Sequence, residues 1–150
     1  MAKLSDLLAP ITTFRPFRPS DLKCVVNNWL KAFRDSPWAG CVSNDQYYEV
    51  HHEVLRQLFN RGAKVLVACE AADPDQILGW VCIEDVPGGA AVHFVYVKEG
   101  YRRKGLASEL LERALEGKVG RRFYTFRTRA SSYLFAGWQH APEIVRRKKR

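Results

Sequence analysis

The chain has 150 residues and a mass of 17.2 kDa, the size of one domain that can bury a core without disulfide or metal staples. Hydrophobic residues make up 47% and charged residues 27%, an ordinary globular balance, and no apolar run nears the roughly 20 residues of a membrane span. The net charge of +8 is unevenly placed: residues 118–150 hold ten Lys or Arg against the single acid Glu143, a net +9, so residues 1–117 carry about −1 and an anionic partner would meet the last third.

The elements read in chain order. Residues 14–17 form a short extended segment between prolines and suit an edge strand. Pro19-Ser20-Asp21 is a helix-start signal. Leu22, Val25, Val26, Trp29, Leu30 and Phe33 follow at helical spacing, and the helix stops before Ser36-Pro37. Ser43-Asn44-Asp45-Gln46 has the form of a capping box. Tyr47, His51, Val54, Leu55 and Leu58 then line one helix face, and Gly62 suits its C-terminal cap. Residues 64–70 are a continuous apolar strand closed by the Asp73-Pro74-Asp75 turn. Residues 77–83 are the next strand, and Pro87-Gly88-Gly89 turns the chain into a third.

That third strand opens the stretch around which the chain is organised, residues 90–115. Val92, Phe94 and Tyr96 alternate with His93, Val95 and Val97, as a strand requires. Leu106, Leu110, Leu111, Ala114 and Leu115 keep helical spacing. Between them lies Gly100-Tyr101-Arg102-Arg103-Lys104-Gly105-Leu106-Ala107, a basic, glycine-containing turn that opens into the helix. A helix start offers unpartnered backbone N–H groups and the positive end of the macrodipole. Small residues and three cations complete the ingredients of a phosphate cradle. After this helix, residues 122–128 alternate and predict a further strand.

Arg102-x-x-Gly105-x-Ala107 after a Val-rich strand resembles the acyl-CoA signature of the GNAT superfamily of N-acyltransferases, R/Q-x-x-G-x-G/A. Val95-Tyr96-Val97, Tyr101 and the Leu110-Leu111 pair agree with it. The order β-α-α-β-β-β-α-β is also that of the family. The resemblance implies an α+β fold with a mixed, mostly antiparallel central sheet flanked by helices. It implies acetyl-CoA as co-substrate and no metal. The pyrophosphate would sit over the N–H groups from Arg103 to Ser108, so the cofactor-binding residues are Arg102, Arg103, Lys104, Gly105, Leu106, Ala107 and Ser108. A main-chain N–H of Phe94, Val95, Tyr96 or Val97 would receive the acyl carbonyl.

The tail carries a second likeness. Ala130-Ser131-Ser132-Tyr133-Leu134-Phe135-Ala136-Gly137-Trp138 is similar to the family's short helix, Tyr, three residues, then Gly and an aromatic. Tyr133 matches the Tyr that acts in many members as general acid toward the departing thiolate. The competing reading makes Tyr133 and Trp138 core aromatics. Many members use a Glu on the central strand as base, and this strand has none. His93, expected on the face of Val95 and Val97, is the first candidate base. Its alternative is a structural His hydrogen-bonded in the sheet. Glu84, beside Asp85 at the end of the preceding strand, is the second candidate.

Other features are plainer. Cys24, Cys41, Cys69 and Cys82 are irregularly spaced and read as buried free thiols, without zinc or disulfide. His51-His52 point in different directions on a helix and make no metal pair. Trp38, Tyr47 and Tyr48 either wall an acceptor site or pack in the core. Only residues 139–145 remain between the Gly-aromatic pair and Arg146-Arg147-Lys148-Lys149-Arg150. The last strand is therefore absent, short, or supplied by a partner in a homodimer.

The domain reading is one GNAT-like unit over residues 1–145 and a basic tail over 146–150. That tail is either a solubilising run, an attraction for nucleic acid or an acidic protein, or an aid to the CoA 3′-phosphate. Residues 1–10 hold one lysine and too short an apolar core for a secretory signal, so the cytoplasm is the expected location, without a membrane. Two functions follow. One is an N-acetyltransferase moving acetyl from acetyl-CoA to an amine of a protein, peptide or small molecule. The other is a catalytically inactive GNAT-fold binding module that contacts nucleic acid or an acidic protein through its basic last third.

Overall fold

The computed structural model describes residues 11–40 and 42–146; the readings made for residues 1–10, Cys41 and 147–150 lie outside them. Among the described residues, six strands form one sheet in chain order: β1 (Thr12–Pro16), β2 (Lys64–Glu70), β3 (Ile77–Val86), β4 (Gly89–Val97), β5 (Arg121–Tyr124) and β6 (Gln139–His140). The first four pair antiparallel, and β5 and β6 join in parallel. Helix α1 (Leu22–Arg34) and α2 (Asn44–Asn60) cover one face; α3 (Leu106–Ala114) and the short α4 (Ser131–Leu134) cover the other. This is the mixed α+β sheet the resemblance implies. The β4–β5 pair is parallel because α3 carries the chain back across the sheet before β5 begins.

Alternation within the strands builds two cores. On β2, Val65, Val67 and Cys69 face α1 and α2, while Ala68 and Leu66 face α3. The α1/α2 side is centred on the fully buried Trp29, whose ring lies 5.5 Å from Trp80, 5.4 Å from Phe94 and 5.3 Å from Phe126. Trp80 and Phe126 each also meet Phe94, so four large aromatics form one connected cluster on this face. The α3 side packs Leu106, Leu110 and Leu111 on Leu78, Val81, Ile83 and Val92.

Local chemistry sets the element ends. Ser43 caps α2 by accepting the Gln46 amide at 3.2 Å, as the capping box predicts. At the start of α1, Arg15 donates to both carboxylate oxygens of Asp21 at 2.7 and 2.9 Å and to the Pro74 carbonyl. That pair ties β1, the helix start and the β2–β3 turn together. A Cβ on Gly89 would lie 1.8 Å from the Arg121 carbonyl oxygen, so only glycine lets the β3–β4 hairpin rest against the entry to β5.

Four expectations change. β1 begins and ends slightly earlier than residues 14–17. β3 runs on to Val86, beyond the expected end at 83. β5 stops at Tyr124 instead of continuing to 128, because Phe126 turns into the Trp29 cluster. Cys24 is exposed, unlike the buried Cys69 and Cys82. The strand after α4 is the short one of the three alternatives: it has two residues and runs into a 3-10 turn, Pro142–Arg146.

Candidate functional site

The parallel pairing of β4 with β5 ends at Val92 and Tyr124, and the last bond runs from the Thr125 amide to the Val92 carbonyl at 3.2 Å. Beyond that point the two arms part. β4 stays paired with β3 as far as Val97. The Lys98 amide donates to Leu78 on β3 at 2.8 Å, so alternation aims the amides of Val97 and Val95 at the opposite edge, which β5 has left. A slot edged by main-chain donors results.

The turn after β4 follows the sequence reading closely. Arg103 and Gly105 take positive φ, 64° and 82°, and Gly105 is the N-cap of α3. The first α3 amide bonded back into the chain is that of Glu109, to Gly105 O at 3.0 Å. Among the described residues, the amides of Gly105 to Ser108 have no backbone acceptor. The Gly105 Cβ position faces open space. Arg102, Arg103 and Lys104 are exposed and form no ion pair among the described residues. Arg102 also fastens the turn to the strand end, because its Nε donates to Val97 O at 2.8 Å and its guanidinium lies over Tyr96. Leu106 is buried in the α3 core and offers the cradle its backbone only. Open amides at a helix start, flanked by cations, suit the two charges of a pyrophosphate.

Tyr133 is not a core aromatic. It is 72% exposed on α4, while Leu134, Phe135 and Trp138, which follow it, pack into the α3 core. Phe135 and Trp138 lie 4.9 Å apart and hold the short helix in place. The phenol is thus fixed at its base and open at its tip.

His93 and Glu84 are placed otherwise than expected. The β3–β4 register shifts between Cys82 and Ile83, which pair with Phe94 and Val92, so His93 is an extra, bulged residue on β4. The bulge moves its ring off the face of Val95 and Val97 and onto the α1/α2 side with Glu84. There it is 1% exposed, with Nδ1 2.8 Å from Thr125 Oγ1 and Nε2 3.0 Å from Glu84 Oε1. Arg61 grips both oxygens of Glu84 at 2.8 Å and also donates to the carbonyls of Val145 and Ile144. Glu84 pairs across to Ala91, toward the strand end opposite the basic turn, and Asp85 is held by Lys118 at 2.7 Å. Each carboxylate is thus engaged by a cation, Glu84 by Arg61 and Asp85 by Lys118.

The electrostatics fix the proton positions. Burial works to raise the Glu84 pKa, but the bonds from His93 and Arg61 outweigh it and hold it at about 2. Burial lowers the His93 pKa against the pull of Glu84, and Arg61 already neutralises that carboxylate. His93 is therefore neutral. Nε2 carries the proton, since an ionised carboxylate only accepts, and the Thr125 hydroxyl donates to Nδ1.

Sequence reasoning missed Thr125 and Arg61. Thr125 stands in the middle of what reads as a strand, and Arg61 reads as a cation at a helix end. Neither carries a local signal. The basic last third is also partly spent inside the fold, with Lys118 on Asp85, Arg122 on the Lys118 carbonyl and Arg121 on Gln139. Trp38 and Tyr48 are exposed, with Arg127 over the Trp38 ring, whereas Tyr47 is buried and donates to the Leu30 carbonyl.

Residues 26–134 match the model of the Acetyltransferase (GNAT) family. The chain belongs to that family. Solved GNAT-fold structures resemble it at low identity. An acetyl transferase of Pyrococcus furiosus, so named provisionally, superposes with a TM-score of 0.64 at 18% identity, over 93% of this chain and 95% of that one. A predicted acetyltransferase of Clostridium acetobutylicum, solved with acetyl-CoA, gives 0.60 at 17% over 89% and 93%. A ribosomal-protein-alanine N-acetyltransferase of Brucella melitensis gives 0.57 at 17% over 87% and 95%. No curated protein matches this GNAT chain in sequence. Among the described residues, no helix is long and apolar enough to cross a membrane, and no group of His, Cys, Asp or Glu could hold a metal ion.

Proposed function

We propose that this chain is an N-acetyltransferase that passes the acetyl group of acetyl-CoA directly to an amine. The observation that carries the reading is the slot between β4 and β5 leading to an open amide cradle at the α3 start. Arg103, Lys104 and the amides of Gly105, Leu106, Ala107 and Ser108 would hold the pyrophosphate. The amides of Val95 and Val97 would meet the thioester arm between the strands. Acetyl-CoA supplies an activated acyl carbon. As the amine nitrogen bonds to that carbon and the C–S bond breaks, negative charge on the carbonyl oxygen is met by a fixed main-chain donor. The thiolate takes a proton from Tyr133, which solvent restores.

His93 and Glu84, closed within their own hydrogen bonds, do not act as the base in this reading. The acceptor's proton leaves to water, and kcat/KM should rise with pH along the amine's own ionisation instead of through a group near 6.5. The Clostridium acetobutylicum neighbour's acetyl-CoA and the N-acetylation named for the Brucella neighbour support the reading. The first test is thermal unfolding with acetyl-CoA. Ligand at 100 times its Kd stabilises by about 2.7 kcal/mol, or about 5–11 °C for a domain of this size. An amine panel read by release of free CoA thiol follows. No stabilisation at millimolar acetyl-CoA would sink the proposal.

A further inference from the structure

The hydrogen-bonded chain Arg61–Glu84–His93–Thr125, half-buried at Arg61 and Glu84 and buried at His93 and Thr125, runs across the strands from the end of α2 to the point where β4 and β5 part. Thr125 supplies both the last backbone bond between the arms, to Val92, and the hydroxyl that meets His93. His93 is the bulged residue of β4, and Thr125 and His93 are both buried. The next residue on the β5 arm, Phe126, is wedged against Phe94 of β4, with ring centroids 6.2 Å apart, and against Trp29 and Phe33 of α1. One side chain closes the fork and its neighbour props it open. We propose that this relay is the positioning device of the cofactor slot, with Thr125 and His93 setting how far the β4 and β5 arms diverge.

The physical case rests on what each bond fixes. Glu84, clamped by Arg61, leaves the His93 ring one orientation, because Nε2–H must point at it. Nδ1 then faces β5 as an acceptor, and the Thr125 hydroxyl satisfies it without adding a charge. Losing that hydroxyl leaves a buried ring nitrogen unpartnered. The arms relieve this by shifting at the fork, which is the one stretch of β4 that lacks a backbone ladder on its β5 side. The amides of Val95 and Val97 lie on the same arm, so a shift of a fraction of an ångström at His93 is transmitted to the donors that edge the slot. His93 and Glu84 thus bear on catalysis through geometry, touching neither substrate.

The inference rests on the acetyl-CoA reading and is tested separately from it. Thr125→Val keeps shape and β-branching but removes the hydroxyl; Thr125→Ser keeps the hydroxyl. Acetyl-CoA Kd by calorimetry and acceptor KM are measured for both, with the unliganded Tm recorded alongside. Thr125→Val should weaken acetyl-CoA at least tenfold, with acceptor KM within twofold, and Thr125→Ser should stay within threefold of wild type. If Thr125→Val binds acetyl-CoA within twofold of wild type, or if Thr125→Ser loses as much as Thr125→Val, the positioning role is refuted. Should Thr125→Val not fold, Glu84→Gln replaces it: it leaves the fork's backbone intact and, with one acceptor oxygen in place of two for Arg61 and His93 to share, loosens the hold on the His93 ring. A rise in Kd of at least threefold supports the relay and an unchanged Kd overturns it. Wild type that fails to bind acetyl-CoA sinks the functional reading itself, a different result from a wild type that binds and a variant that binds equally well.

Discussion

Substituting Gly105 by Glu separates the amide cradle from the rest of the fold. Gly105 sits at φ 82° and ψ 5° as the N-cap of α3. A residue with a Cβ there costs about 1–2 kcal/mol, which lowers the unliganded Tm by about 2–8 °C. The Cβ itself meets nothing within 4 Å, so no clash adds to that figure and the domain stays folded. The Glu carboxylate would instead reach over the open amides of Leu106 to Ser108 and occupy them as a helix-start anion does. Differential scanning fluorimetry with saturating acetyl-CoA should then show the expected rise of about 5–11 °C in wild type and none in Gly105→Glu. Gly105→Ala is the control: it carries the same backbone strain without the carboxylate and should keep most of the rise. A full ligand-induced rise in Gly105→Glu would refute the placement of the pyrophosphate at the α3 start. Equal loss in both variants would show that backbone conformation, not occupancy of the amides, governs binding.

Other expectations follow from the same structure. Tyr133→Phe removes an exposed hydroxyl, so stability should change by less than about 0.5 kcal/mol, while kcat falls about 100-fold if the phenol is the general acid; an unchanged kcat would remove it from the mechanism. Acid should destabilise the protein in two stages. The folded His93 pKa lies below its ordinary value, so stability is intact above about pH 6.5 and is lost as pH falls below it, by about 1.4 kcal/mol per pH unit until the folded pKa is reached. Glu84, held at about 2, adds a second loss below its unfolded value near 4.5. Melts in wild type and His93→Gln across pH 4–7 check this, since the variant should lack the first stage. Asp21→Ala leaves the buried Arg15 guanidinium without its carboxylate and should cost about 3 kcal/mol, a Tm loss of about 6–12 °C; a loss under about 1 kcal/mol would show that water reaches Arg15 freely.

The amino-acid sequence determined whatever is carried by near neighbours along the chain. Strand β2 was legible from an unbroken apolar run with Gly/Pro punctuation, α2 from its cap at Ser43, and α3 from its leucine spacing. The cradle was legible for the same reason: strand, positive-φ glycine and helix start are consecutive, and their chemistry is mostly backbone. Tyr133 could be nominated from its motif, but its exposure depends on which neighbours find a core, and packing decided in favour of Leu134, Phe135 and Trp138.

Only the tertiary structure decided the rest. Alternation placed His93 with Val95 and Val97, and it would lie there in a regular strand. The bulge opposite the Cys82–Ile83 step reverses the phase from that residue on, and a bulge depends on how two strands fit, not on the composition of one. The same holds for β5, whose alternation continues to residue 128 while its pairing ends at Tyr124, because burying Phe126 against Trp29 outweighs a few more ladder bonds. Arg61, Glu84, His93 and Thr125 stand as far as 64 positions apart in the chain and share no spacing rule. Their meeting is a property of the sheet, whose register brings an α2 end, two strand interiors and the start of a divergent arm into one hydrogen-bonded chain.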